Sequence, residues 1–408
     1  MFNKIISASL SPNTEFDDVL LAFHVLFKPW QWTQGYGIKR VEDWFAKRFP
    51  NYRALSFNSG RSALFAILKA FNIHEGDEVL VQAFTCVAVP NSVLWTGAKP
   101  VYVDTDRTLN IDVADAEKKR TAKTRAIVVQ HTLGITADMD KISEFAKKNN
   151  LLVIEDCAHS IGATYGNKKV GSVGDASFFS FGRDKVLSSV FGGMAVIQKR
   201  HEQPWMKLKD IHKKLPSPAM FWILQQLLHP LLFSLILPFY KVGIGKGILF
   251  VCQKLRLLSI PVYPEEKTGV RPKDFPAKYP NALALLLGNQ LKKLERYNEN
   301  RKNSAHYYLE SLKNSANAEL LTYPEGSIFL RFPVLHPNPE SVIAKAKNAG
   351  ILIGNWYHNT IDPAGVNFKK IHYTPGSCPR AEYTAKHILN MPTRITKKEA
   401  VRLLKYIS

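Results

Sequence analysis

Carboxylates are the scarce residues of this chain. Its 34 Asp and Glu stand against 55 Lys and Arg, which leaves a formal net charge of +21. Such a balance favours an anionic partner: a phosphorylated small molecule, a membrane surface or nucleic acid. No nucleic-acid recognition module accompanies the charge, so nucleic acid is the weakest of the three. Cysteine is scarce as well. Cys86, Cys157, Cys252 and Cys378 are scattered, with neither metal-ligand spacing nor the pattern of a disulfide framework. No metal is expected, and a reduced, intracellular protein is the economical reading. The opening stretch MFNKIISASLSPNTEFDD lacks the long apolar core of a signal peptide and soon turns acidic, so export is not expected. Internal repeats and low-complexity tracts are absent.

What remains is a globular composition. Hydrophobic residues make up 46% and charged ones 22% of 408 residues, enough for two domains and a sizeable core. From about residue 55 to 200, short apolar runs alternate with helical stretches. DEVLVQAF, KPVYVD, RAIVVQH, LLVIEDC and ASFFSF read as buried strands, nearly continuous in apolar residues, and a further strand is expected from Gly192 to Ile197. Between them RSALFAILKAF places Leu64, Ile67, Leu68 and Phe71 on one helical face. Alternation of this kind predicts an α/β fold, a mostly parallel sheet with helices on both faces. Residues 281 to 313 read as one long, partly amphipathic helix with a charged second half. Shorter mixed elements follow, including SIFLRFPVL and TKKEAVRLLKYI, and predict a smaller α+β domain.

Residues 219 to 240, AMFWILQQLLHPLLFSLILPFY, hold no charged side chain and are flanked by Lys213, Lys214, Lys241 and Lys246. Their length would suit a membrane span, but Pro230 and Pro238 break or kink a helix, and Gln225, Gln226 and His229 make a poor lipid-facing centre.

Three stretches carry chemistry. In VIEDCAHSIGA, Asp156 ends a buried strand, at the edge where parallel sheets hold ligands. A carboxylate there needs a partner: a protonated pyridine nitrogen would serve, and so would a structural salt bridge or a helix cap. In SFNSGRSALFAIL, Ser59, Gly60, Arg61 and Ser62 precede a periodic helix whose free N–H groups and dipole suit a phosphate, although an ordinary serine cap reads the same way. In FFSFGRDKVLSSVFGGMAV, Lys185 lies in the polar connection between two strands, where a solvated lysine is the plain alternative. Together the three are the parts that hold pyridoxal 5'-phosphate: a lysine amine to condense with its aldehyde, a carboxylate for its ring nitrogen and a cradle for its phosphate.

Taken in order, SGRSAL, GDEVLVQAFTCVAVPNSVLWTGAKPVYVDTD, LGITADMD, VIEDCAHSIGATYGNKKVGSVGDASFFSFGRDKVLSSVFGG and CPRAEYTAKHILNMP resemble the DegT/DnrJ/EryC1/StrS sugar aminotransferases, a branch of the fold-type-I pyridoxal-phosphate enzymes. The resemblance implies a large domain over 31–280 built on a mostly parallel seven-stranded sheet. It also implies a small domain over 281–408, with residues 1–30 packing nearby. Residues from about 204 to 270 have no counterpart in the family pattern and read as an insertion.

By the same resemblance, Lys185 corresponds to the cofactor-bearing lysine, Asp156 to the partner of the ring nitrogen and Ser180 to a phosphate-binding serine. His159 corresponds to a residue packed on the ring, and Gly60, Arg61 and Ser62 to the phosphate turn. Cys86 stands where many members place an aromatic ring against the cofactor. The Asn and Arg that normally precede the long helix and reach the neighbouring subunit's phosphate are missing, so Asn281 or Lys278 would have to substitute.

The activity implied is transfer of an amino group, with glutamate the expected donor, to a nucleotide-linked keto-sugar by a homodimer. A sugar dehydratase of the same fold and an idle membrane-associated scaffold are the alternatives. Dehydratase members replace the lysine with histidine. The expected location is cytoplasmic, with 219–240 touching the inner face of the membrane, a contact that Trp205, Trp222, Phe239 and Tyr240 favour. A buried helical pair covering the core is the other reading.

Overall fold

The computed structural model describes residues 5–407. Seven strands form the central sheet: β1 (Tyr52–Phe57), β2 (Glu78–Gln82), β3 (Lys99–Val103), β4 (Thr124–Gln130), β5 (Leu152–Asp156), β6 (Ala176–Ser180) and β7 (Gly193–Gln198). Across the sheet they run β3-β2-β4-β5-β6-β7-β1. All pairings are parallel except those of β7, which is antiparallel to both β6 and β1. The strands expected from apolar runs are present. Edge strand β1 was not among them, because YRALSF mixes polar and apolar residues instead of forming a continuous buried run.

Helix Gly60–Ala70 packs on β6 and β7 and is buried almost all round, because helix Glu202–Lys214 covers its outer side. The expected apolar face is therefore only part of its contact surface. Strands Arg331–Leu335 and Ile388–Pro392 pair antiparallel, beside helices Pro339–Asn348, Pro379–His387 and Lys397–Leu404. Near the start of the chain, Ile6–Ser7 pairs with Ile351–Leu352.

The single long helix expected over 281–313 is two helices, Asn281–Leu291 and Leu294–Leu312. The break falls at Lys292 and Lys293. From it the Lys293 ammonium reaches Asp17 at 2.6 Å and Asp18 at 2.9 Å. Periodicity alone does not register two residues that leave the helical path to make such contacts.

The apolar insertion is a helical hairpin, Met220–Ile236 and Ile244–Lys254. Its first helix continues through Pro230, which is buried, and Pro238 falls in the turn beyond the helix end. Trp222, Gln226 and His229 face the protein, and Trp222 Nε1–H donates to the Tyr263 hydroxyl at 3.2 Å. Trp205 is half-buried beneath Arg53. Trp222 is thus packed inside instead of being displayed as a membrane anchor, and Trp205 is partly covered. No helix among the described residues is long and apolar enough to cross a membrane.

Candidate active site

The carboxyl ends of β5 and β6, the loop between β6 and β7, and strand Arg331–Leu335 converge on a cavity of about 800 Å³. Gly60, Arg61, Cys86, Asp156, His159, Ser180 and Lys185 all line it. Ser62 does not. Its hydroxyl donates to Asn58 Oδ1 at 2.7 Å and its N–H to Ser59 Oγ at 3.2 Å, so it completes a helix cap and turns away from the cavity.

Asp156 is the last residue of β5 and is buried. One carboxylate oxygen accepts the Ala158 N–H at 3.0 Å. Burial pushes its carboxyl up to about 6, against the pull of that hydrogen bond. Its neighbour Glu155 is held ionised by the His131 ring and by the N–H groups of Gly171, Val173 and Gly174, which pin the hairpin behind the strand. His131, Glu155 and Cys157 lie close enough together to suggest a metal cluster. The glutamate's oxygens are already taken by these donors, and burial raises the Cys157 thiol well above its usual range. The cluster is a structural network.

Lys185 sits among buried groups, and burial lowers the affinity of its amine for a proton. Nζ lies 2.8 Å from His159 Nε2 and 4.7 Å from the centre of the Trp356 ring. The Leu133 N–H donates to His159 Nδ1 at 3.2 Å, which places the ring's proton on Nε2. Burial lowers the affinity of that ring for a proton well below the usual histidine range. An Nε2–H facing Nζ requires a lone pair on Nζ, so the contact selects the neutral, nucleophilic amine.

The turn Ser59–Gly60–Arg61 opens helix Gly60–Ala70 against the end of β6. A Cβ added at Gly60 would meet Ser180 Cβ at 2.9 Å, so only glycine allows the turn and the strand end to approach this closely. The first N–H groups of the helix and the Ser180 hydroxyl face the same space. Arg61 departs from the expectation that its charge serves the phosphate. Its guanidinium pairs with buried Glu266 and donates to the Pro261 carbonyl at 2.6 Å. Arg183 behaves similarly, donating to the Ser259 carbonyl at 2.9 Å, while Ser259 Oγ donates to Gln226 in the first hairpin helix. Through these contacts the segment after the hairpin forms one wall of the cavity, with Ile260, Pro261 and Val262.

Asn281 is spent within its own chain: its carboxamide accepts the Gly37 N–H at 2.8 Å and donates to the Gln31 carbonyl at 2.7 Å. Of the two substitutes for the missing motif, only half-buried Lys278 is left with its side chain unengaged among the described residues. Cys86 lines the cavity as a small half-buried thiol, and the aromatic surface comes from Trp356 and Tyr357 instead. Trp356, Tyr357, Asp184 and Arg331 were not singled out from the sequence. A lone arginine inside the apolar run IFLRFPVL was the available signal for the last of these.

This donor set suits pyridoxal 5'-phosphate: an uncharged lysine amine, a buried carboxylate at a strand end, and a glycine-tight turn at a helix N-terminus. The DegT/DnrJ/EryC1/StrS aminotransferase family model matches residues 17–212 and 252–404. The chain belongs to that family. The unmatched residues between the two matched spans include most of the apolar hairpin.

A GDP-perosamine synthase of Caulobacter vibrioides is 45% identical over 168 residues, covering 40% of this chain and 45% of that protein. A dTDP-3-amino-3,6-dideoxy-alpha-D-galactopyranose transaminase of Aneurinibacillus thermoaerophilus is 44% identical over 146 residues, 35% of this chain and 40% of that one. The chain therefore spans less than half the length of these curated relatives. Among solved structures, an E. coli GDP-4-keto-6-deoxy-D-mannose-3-dehydratase aligns over 100% of both chains with a TM-score of 0.76 at 20% identity, a likeness of fold.

Proposed function

We propose that this family member is a pyridoxal-phosphate-dependent aminotransferase that moves an amino group from glutamate to a keto-sugar carried on a nucleotide. The observation that carries the reading is the placement of buried Lys185, held by His159, in one cavity with Asp156, Ser180 and the Gly60–Arg61 turn. The names of the two sugar-nucleotide relatives support the substrate class.

In this reading Lys185 bears the cofactor, and Asp156 faces its ring nitrogen. The first N–H groups of helix Gly60–Ala70 and Ser180 Oγ hold its phosphate. His159 packs against the ring, and Cys86 leaves room on the other side. When bound, pyridoxal phosphate supplies an electron-withdrawing ring that takes up carbanion charge. Lys185 Nζ removes the proton from the donor's α-carbon, and in the second half-reaction it returns a proton to the sugar carbon being aminated. His159 orients Nζ throughout. Lys185 also favours this reading over a dehydratase of the same fold.

Two features of the assembly belong to the proposal. The chain acts as a homodimer, with Lys278 taking over the contact to the partner's phosphate. It also rests on an anionic membrane surface through the hairpin. Residues 211 to 264 hold six Lys and Arg and no Asp or Glu, and Phe221, Leu235, Ile244, Phe250, Val251 and Leu255 are exposed.

The test is incubation of the full-length holoprotein with glutamate and a nucleotide-linked keto-sugar such as GDP-4-keto-6-deoxy-D-mannose, followed by mass spectrometry. Amino-sugar and 2-oxoglutarate formed in equal amounts, and lost in Lys185→Ala, is the expected result. A deoxygenated sugar with no amino group would instead assign the dehydratase reaction. No turnover by wild type over a range of keto-sugars would favour a scaffold.

A further inference from the structure

Asn13 lies just before helix Phe16–Leu26, is fully buried, and spends its side chain on the loop that carries Lys185. Its Nδ2 group donates to the Lys185 carbonyl and, at 3.1 Å, to the Val186 carbonyl. The Val186 carbonyl also accepts from Arg301 Nη2 at 2.8 Å. Arg301 belongs to helix Leu294–Leu312, so both donors come from far along the chain. Neither carbonyl accepts a backbone N–H among the described residues, and the two side chains supply what a strand partner would.

The Asn13 amide is turned one way. Its Oδ1 accepts from Arg301 Nη2 at 3.0 Å and from Arg394 Nη1 at 3.2 Å, and two guanidinium groups on one atom mark it as the oxygen, which leaves Nδ2 facing the loop. The Asn13 backbone carbonyl is held as well, by Gln290 Nε2 at 3.0 Å and the Tyr297 hydroxyl at 3.1 Å. Arg301 is 1% exposed and pairs with no carboxylate among the described residues; its remaining contact is the Asn298 carboxamide oxygen at 2.8 Å. Burying a charge in this way is costly. An apolar side chain would fill the same space at lower cost, and what the guanidinium touches instead is the backbone beside Lys185.

A lysine amine on its flexible four-carbon stem is placed no better than the backbone beneath it, and a misplacement of about 1 Å costs about a hundredfold in rate. We propose that Asn13 and Arg301 are positioning residues for Lys185, clamping its carbonyl and the next one so that Nζ keeps its place beside His159 through both half-reactions. What Lys185 does there rests on the aminotransferase reading above.

Asn13→Asp separates positioning from packing. The carboxylate has the shape of the carboxamide and still meets Arg301 and Arg394, but it cannot donate, and it turns an oxygen toward the Lys185 carbonyl. In the full-length cofactor-free protein the thermal midpoint of Asn13→Asp should therefore lie above that of Asn13→Ala. Capture of Lys185 by pyridoxal phosphate, trapped with borohydride and followed by the mass of its peptide, should show the reverse order: at least about tenfold slower than wild type in Asn13→Asp, and no faster than in Asn13→Ala. Arg301→Lys, which keeps the charge, should fall between wild type and Arg301→Met. In the loaded enzyme kcat should drop in these variants, with the half-saturating glutamate and keto-sugar concentrations unchanged.

Capture rates that simply follow the midpoints, with Asn13→Asp labelled faster than Asn13→Ala, would give these residues a structural role and overturn the proposal. Capture at the wild-type rate in every variant would overturn it equally. No capture at Lys185 in wild type would be a failure of the aminotransferase reading itself, seen before Asn13 or Arg301 is changed.

Discussion

At the scale of single residues, the site is governed by what burial does to ionisable groups. Burial lowers the affinity of the Lys185 amine for a proton, and its Nζ faces the His159 ring, while Asp156 at the end of β5 holds its proton up to about pH 6. A solvated aspartate ionises near 3.8. In the cofactor-free protein, Asp156 therefore favours the folded state fully below that value, and the contribution is lost as pH rises through about 6. Asn at this position does not titrate. The stability of wild type relative to Asp156→Asn should fall by about 3 kcal/mol between acid and neutral pH, read from denaturant unfolding at each pH. A constant difference would show that Asp156 titrates alike in the folded and unfolded states, with no shift from burial. That Lys185, Asp156 and Ser180 would meet in one cavity was legible because local sequence places them: a strand end, a loop between two apolar runs, a run of blocks in family order. The orientations of Ser62 and Arg61 were not legible. The partner that turns Arg61 away, Glu266, is about 200 residues distant, and a hydroxyl that caps a helix is written like one that binds phosphate.

At the scale of elements, the apolar runs predicted the interior strands well, since strands buried on both faces must be apolar throughout. Edge strand β1 and the break at Lys292 and Lys293 escaped because neither changes the hydrophobic pattern enough. The hairpin is the element that most changes the site. Its following segment grips the Gly60–Arg61 turn at Arg61 and the loop that carries Lys185 at Arg183. Glu266→Ala should leave the Arg61 guanidinium without its partner and cost about 3–5 kcal/mol, the usual result of breaking a buried pair from one side. Glu266→Ala combined with Arg61→Leu should recover much of that loss, because no charge is stranded. Cofactor affinity, followed by fluorescence, should weaken in the single variant, whose turn is no longer held. Equal losses in both would mean that the stranded Arg61 charge is not what Glu266→Ala costs.

At the scale of the whole molecule, two features call for something outside the chain. The formal charge of +21 is joined, on the hairpin, to exposed Phe250, Val251 and Leu255 with Lys254 among them and no acids from 211 to 264. If this face meets lipid, the protein should sediment with vesicles containing phosphatidylglycerol, far less with neutral phosphatidylcholine vesicles, and less again at high salt. Phe250→Asp with Leu255→Asp should abolish the binding while leaving the fold intact, as both side chains are exposed. Vesicle binding indifferent to lipid charge and to these changes would place the contact elsewhere.

The central claim concerns Lys185 and is open to one direct measurement. Wild-type protein incubated with pyridoxal phosphate is reduced with borohydride, digested, and its peptides are weighed. The account predicts one modified peptide, with the cofactor's mass on Lys185 and no other lysine. A protein that carries no label, or carries it indiscriminately on surface lysines, would contradict it.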